Sequence, residues 1–177
     1  PPSPPPSPPP PGAFYDLSST DAWSKATGTR HFTHKSGSTL SSNTGPSAGA
    51  EGDNDYYYYA ETTGHFFTTF TLVYDGSACA TTGLSSVTFQ YHMYGEHIGT
   101  LTVQTADHTS VWTKSNEQGD EWYGANVTLN SATFRFHYIS GTSYEGDAAV
   151  DSIQVLCADA SPLPPPSPPP SPTPPSP

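Results

Sequence analysis

The chain has 177 residues, with 16 acids against 5 bases, a formal net charge of −11 and 33% apolar residues. Nucleic-acid binding needs clustered Lys and Arg to displace counterions, and Lys25, Arg30, Lys35, Lys114 and Arg135 are too few and too scattered for it. An anionic membrane surface is disfavoured on the same ground, and no apolar run reaches the ~18 residues needed for membrane insertion.

Pro1 to Pro11 are only Pro and Ser, in a Ser-Pro-Pro-Pro beat, and the beat returns from Pro162 onward in Pro164-Pro165-Pro166-Ser167-Pro168-Pro169-Pro170. Proline fixes φ and lacks an N–H, so these stretches predict polyproline II at ~3.1 Å per residue rather than helix or sheet. The expected division is a rod over 1–11, a domain over 12–160 and a rod over 161–177. The rods read as inert spacers or as ligands for an SH3-like groove, though no basic residue flanks them to set an orientation. The repeats also resemble the hydroxyproline-rich glycoproteins of plant and green-algal walls, of the extensin and pherophorin type. That resemblance implies hydroxylated, sugar-bearing prolines at Pro4, Pro5, Pro6, Pro8, Pro9, Pro10, Pro164, Pro165, Pro166, Pro168, Pro169 and Pro170. The absence of a signal peptide reads as a mature piece or a fragment of a longer protein.

Between the rods the periodicity is that of strands. Residues 24–55 are rich in Ser, Thr, Gly and Asn and read as loop, ending in the acidic run Glu51-Gly52-Asp53-Asn54-Asp55, which lacks EF-hand spacing. Tyr56, Tyr57, Tyr58 and Tyr59 predict a strand with two rings on each face. One pair is expected in the core and the other exposed, for a protein interface or for stacking on glycans. His65–Val73 predicts a further strand. Val87 to Met93 alternates, placing Val87, Phe89, Tyr91 and Met93 inward and Thr88, Gln90 and His92 toward water. Glu96-His97-Ile98-Gly99 predicts a turn and Thr100–Thr105 the returning strand, with Leu101 and Val103 inward. Asn126-Val127-Thr128 is an N-glycosylation sequon at a predicted strand start, and Phe134, Phe136 and Tyr138 mark another inward face. No stretch predicts a helix.

Cys79 and Cys157 allow one internal pairing, or two buried thiols in a reducing compartment; the proline-rich flanks argue for the bridge.

Cys79, then Phe89-Gln90-Tyr91-His92-Met93-Tyr94-Gly95, then Gly99-Thr100-Leu101-Thr102-Val103, resembles the middle of a MAM domain. Phe14, Asp16, Asp21 and Trp23 fit that family's opening, without its early cysteine pair. Tyr57, Tyr59 and Glu61 fit its "Y-x-Y-x-E" strand. Trp112, Gln118-Gly119 and Trp122 fit "W … Q-G … W", and Val150-Asp151-Ser152-Ile153 to Cys157 fits the closing strand with Ser152 in place of its second Asp. The resemblance covers Phe14 to Cys157 and implies an all-β, jelly-roll-like sandwich of two antiparallel sheets, with a Cys79–Cys157 bridge. It also implies a structural Ca²⁺ held by Asp16, Asp21 and Asp151, with Asp53 or Asp55 as additions; the surplus of carboxylates suits this hard cation.

Catalytic patterns are missing. There is no H-E-x-x-H and no G-x-S-x-G, and the seven histidines read as structural or surface residues. A carboxylate pair for glycoside hydrolysis is left open, because separation is not written in sequence. The expectation is a non-enzymatic, secreted structural or adhesion glycoprotein module of a cell wall, extracellular matrix or cell surface. It associates with itself or with other matrix glycoproteins. The alternatives are a carbohydrate-binding module and a non-catalytic domain of a larger secreted enzyme.

Overall fold

Alternating side chains need a second layer to bury their apolar face, and two sheets supply it to each other. The computed structural model describes residues 11–158, so the proline sites named above lie outside the described residues. Within them the chain forms twelve strands and no helix: β1 (Gly12–Tyr15), β2 (Trp23–Ser24), β3 (Arg30–His31), β4 (Thr33–Ser36), β5 (Tyr56–Ala60), β6 (Thr69–Tyr74), β7 (Leu84–Met93), β8 (Thr100–Thr105), β9 (Ser110–Ser115), β10 (Gly119–Ser131), β11 (Phe134–Ile139) and β12 (Ala148–Cys157).

The first sheet runs β10-β7-β12-β5-β4, with β1 also on β12; the second runs β2-β6-β11-β8-β9, with β3 also on β6. All pairings of these strands are antiparallel except the two-residue β3–β6 contact. This is the expected all-β, jelly-roll-like sandwich. Its core takes Val87, Phe89, Tyr91 and Met93 from β7, Leu101 and Val103 from β8, and Phe134, Phe136 and Tyr138 from β11, as the alternation predicts. Aromatic rings carry much of it: Trp23 meets Tyr74 and Phe134 edge-on, and Phe89 meets Phe136 at 4.8 Å.

β12 is central and carries a bulge. Its register shifts between Asp151 and Gln154, and Ser152 takes a φ of 46°. The extra residue keeps Val150 inward before it and Ile153 and Val155 inward after it, while Asp151 faces out. The Cys79–Cys157 bridge ties the end of β12 to the loop after β6. At that same end the Cys157 N–H donates to the Pro11 carbonyl at 2.8 Å and the Ala158 N–H to the Gly83 carbonyl at 2.9 Å. Pro11 and Ala158, the first and last described residues, therefore both lie at this end of the sandwich.

Three local expectations are corrected. His65–Thr68 is not strand: Phe67 takes a φ of 50°, its N–H donates to the Gly141 carbonyl, and the Thr68 N–H donates to Ser140 Oγ, so this run is anchored on a loop rather than a ladder. Asn126 lies inside β10, not at its start, and is exposed on that edge strand with Thr128 while Val127 points in. His92, expected to face water, is buried.

Candidate functional site

The outer face of the first sheet is covered because residues 37–55 return across it. Tyr57 Oη donates to the Gly37 carbonyl at 2.6 Å, Trp122 Nε1 to the Ala48 carbonyl at 3.1 Å, and the Gly45 N–H to the Tyr94 carbonyl at 2.9 Å. Beneath this strap Tyr57, Tyr59 and Ala149 form a second apolar cluster with Trp122 against it. His92 lies there too, 5.3 Å from the Trp122 ring, with Nε2 at 3.2 Å from Asp120 Oδ1. Burial lowers its pKa although Asp120 works the other way.

That covering corrects the tyrosine expectation. Tyr58 is in the main core, and Tyr57 and Tyr59 are 0% exposed under the strap, so none of the three offers a face to a glycan or a partner. Tyr56 alone of the four is exposed, with its ring stacked on His34 at 4.8 Å.

The acids divide in the same way. Asp151, buried on the outer face of β12, meets Asp55 from the strap within hydrogen-bonding reach. The Ala50 N–H donates to Asp151 Oδ2 and the Glu51 N–H to Asp55 Oδ2, each at 2.8 Å. Gly49 lets the strap come this close: a Cβ there would stand 2.7 Å from the Asp55 backbone oxygen. Burial, then the neighbouring Asp55 charge, raises the Asp151 pKa. Asp147 is also buried; Thr62 donates twice to its Oδ1, its Oδ2 has no partner, and burial pushes its pKa up to about 7, with Glu61 adding to it. Asp16 is instead exposed and held below the usual carboxylate range by the Ser18 hydroxyl and N–H. Asp21 and Asp53 are exposed. Among the described residues the five acids expected around one calcium do not converge as a set; Asp55 and Asp151 do. A second carboxylate beside the buried Asp151 favours the protonated form of Asp151, and the other three Asp do not join the pair.

The opposite end of β12 is different in character. Phe66 and Phe67 on the β5–β6 connection, Ile139 at the end of β11 and Tyr144 on the β11–β12 connection are exposed, Phe67 at 73%. The Thr62 hydroxyl bound to the Tyr144 carbonyl and the Phe67 N–H bound to Gly141 hold these two segments together. The ten residues of β12 separate this patch from the disulfide end, on the order of 33 Å.

A family model described as "MAM domain, meprin/A5/mu" matches residues 15–159. The MAM domain-containing glycosylphosphatidylinositol anchor protein 1 of Gallus gallus is 39% identical over 87 residues, covering 44% of this chain and 9% of that protein. The corresponding anchor protein 2 of Mus musculus is 31% identical over 132 residues, covering 64% of this chain and 14% of that protein. The chain thus spans at most about a seventh of the length of these relatives. Among solved structures, the K1 cleaved adhesin domain of Lys-gingipain from Porphyromonas gingivalis W83 is similar, with a TM-score of 0.60 at 10% identity, covering 84% of this chain and 99% of that one; the likeness is one of fold.

Proposed function

The chain belongs to the MAM domain family, and from that premise we propose that it is an extracellular, non-catalytic adhesion module. It is carried between glycosylated proline-rich segments and associates with itself in a wall, matrix or surface fibril. The observation that carries this reading is the exposed Phe66, Phe67, Ile139 and Tyr144 patch at the end of the sandwich opposite Pro11 and Ala158. A contact between one end of a molecule and the other end of the next is heterologous and propagates as a filament. The Cys79–Cys157 bridge suits an oxidising, secreted setting. The buried carboxyls Asp147 and Asp151 lie beneath the strap rather than in an open cleft, which supports a structural role for them; Ca²⁺ at Asp55 and Asp151 belongs to the same proposal. A second reading, binding of carbohydrate, is favoured by the same aromatic rings, since flat apolar faces also stack on sugars.

Beads coated with the chain are expected to clump, and beads carrying Phe67→Asn to stay dispersed. Asparagine tolerates the left-handed backbone at this position, so the fold is preserved while the ring is removed. Dispersed wild-type beads together with saturable binding on a glycan array would replace the first reading by the second.

A further inference from the structure

Glu96 and His97 lie in the turn between β7 and β8, and Glu145 in the segment between β11 and β12. One ligand atom from each falls within 4.8 Å of the others. The two segments are tightly apposed: the His97 N–H donates to the Glu145 carbonyl at 3.0 Å, and a Cβ on Gly141 would stand 2.0 Å from the His97 carbonyl oxygen. The three side chains are therefore set by packed backbone rather than by free loops.

His97 Nδ1 is sealed from solvent and has no hydrogen-bond partner, yet Glu145 Oε2 is only 3.3 Å away. The two groups make a close polar contact without forming a hydrogen bond. Two donor atoms on one tetrahedral zinc, with bonds of ~2.0–2.1 Å, stand roughly 3.3–3.4 Å apart and aim at the ion rather than at each other. The 3.3 Å between Nδ1 and Oε2 matches that spacing. Glu96, the exposed member, brings a second carboxylate from the solvent side.

We propose that Glu96, His97 and Glu145 bind a divalent transition cation of the zinc type, which pins the β7–β8 turn to the β11–β12 segment. One imidazole nitrogen with two carboxylate oxygens suits a borderline cation; Ca²⁺ takes six to eight oxygens and gains nothing from the imidazole. The site lies apart from Asp55 and Asp151, and its occupancy is independent of the adhesion reading.

The test is calorimetric titration of the chain with Zn²⁺ in calcium-containing buffer. One-to-one, saturable binding is expected, weakened by roughly tenfold or more in His97→Asn and in Glu145→Gln, since even outer partners of metal ligands cost that much. His108→Asn, at an exposed position with a left-handed backbone, leaves binding unchanged and reports on background histidine binding. The backbone bond from His97 N–H to the Glu145 carbonyl does not use the imidazole, so His97→Asn retains it and near-ultraviolet circular dichroism verifies that the segments stay together. No saturable binding, or equal binding by wild type and His97→Asn, overturns the proposal.

Discussion

Replacing Cys79 and Cys157 together by alanine is expected to cost about 4 kcal/mol of unfolding free energy, from the loop closed by two cysteines 78 positions apart. The bridge restrains more than the unfolded chain. Cys157 is the last residue of β12, the central strand shared by β7, β5 and β1, and it packs in the main core. Without the bridge the end of β12 is expected to fray, and with it the Cys157–Pro11 and Ala158–Gly83 contacts. Urea titration with and without a reductant measures the loss. A change below about 1 kcal/mol would contradict this account of what closes the sandwich, because it falls well short of what a loop of this length predicts.

The second large effect is on pH dependence. The Asp147 carboxyl is pushed up to about 7 and Asp151 is raised in the same direction, each chiefly by burial. A carboxyl raised in the folded state holds its proton there and loses it on unfolding. Its contribution to stability is complete below the ordinary value of about 4 and disappears as pH rises toward 7, falling by about 1.4 kcal/mol for each pH unit crossed. His92 and His137, both lowered by burial, act with the opposite sign: their contribution is present above about 6.5 and is lost as pH falls through their folded values. The comparison is therefore between wild type and Asp151→Asn, which share the histidines and the neighbouring Asp147. In EDTA the wild-type melting temperature is expected to fall relative to that of Asp151→Asn between pH 5 and pH 8, by several degrees. Ca²⁺ at pH 8 is expected to restore wild type and to leave Asp151→Asn unmoved, because a cation beside Asp151 takes the place of the proton that Asp151 gives up. A constant difference across the pH range would show that the Asp151 carboxyl is not held in its protonated form.

The inner face of the fold is legible in sequence because it is local. Val87 to Met93 and Phe134 to Tyr138 alternate with period two, and the structure buries the residues the alternation selects. The frame of Cys79, the central hairpin and Cys157 places the two sheets through family likeness rather than through periodicity. What is not legible is how a loop returns. Tyr57 and Tyr59 alternate outward, and nothing in β5 reveals that residues 37–55 fold back over them and over His92. The strap also explains why Asp55 meets Asp151 while Asp16, Asp21 and Asp53 do not join them: the meeting depends on backbone donors at Ala50 and Glu51 and on the missing side chain at Gly49. Glu96 and His97 are adjacent in a predicted turn, but Glu145 reaches them only through the apposition of two connections. The exposed end is hidden for a related reason: Phe66 and Phe67 sit in an apolar run that reads as strand, whereas hydrogen bonds to residues 140–141 pull it out of the ladder.

Sedimentation velocity of the chain over a range of concentrations tests the adhesion reading most directly. The account predicts a boundary that moves to larger species as concentration rises in wild type, and a monomer throughout for Phe67→Asn. A single monomer boundary at every concentration for both proteins would contradict it.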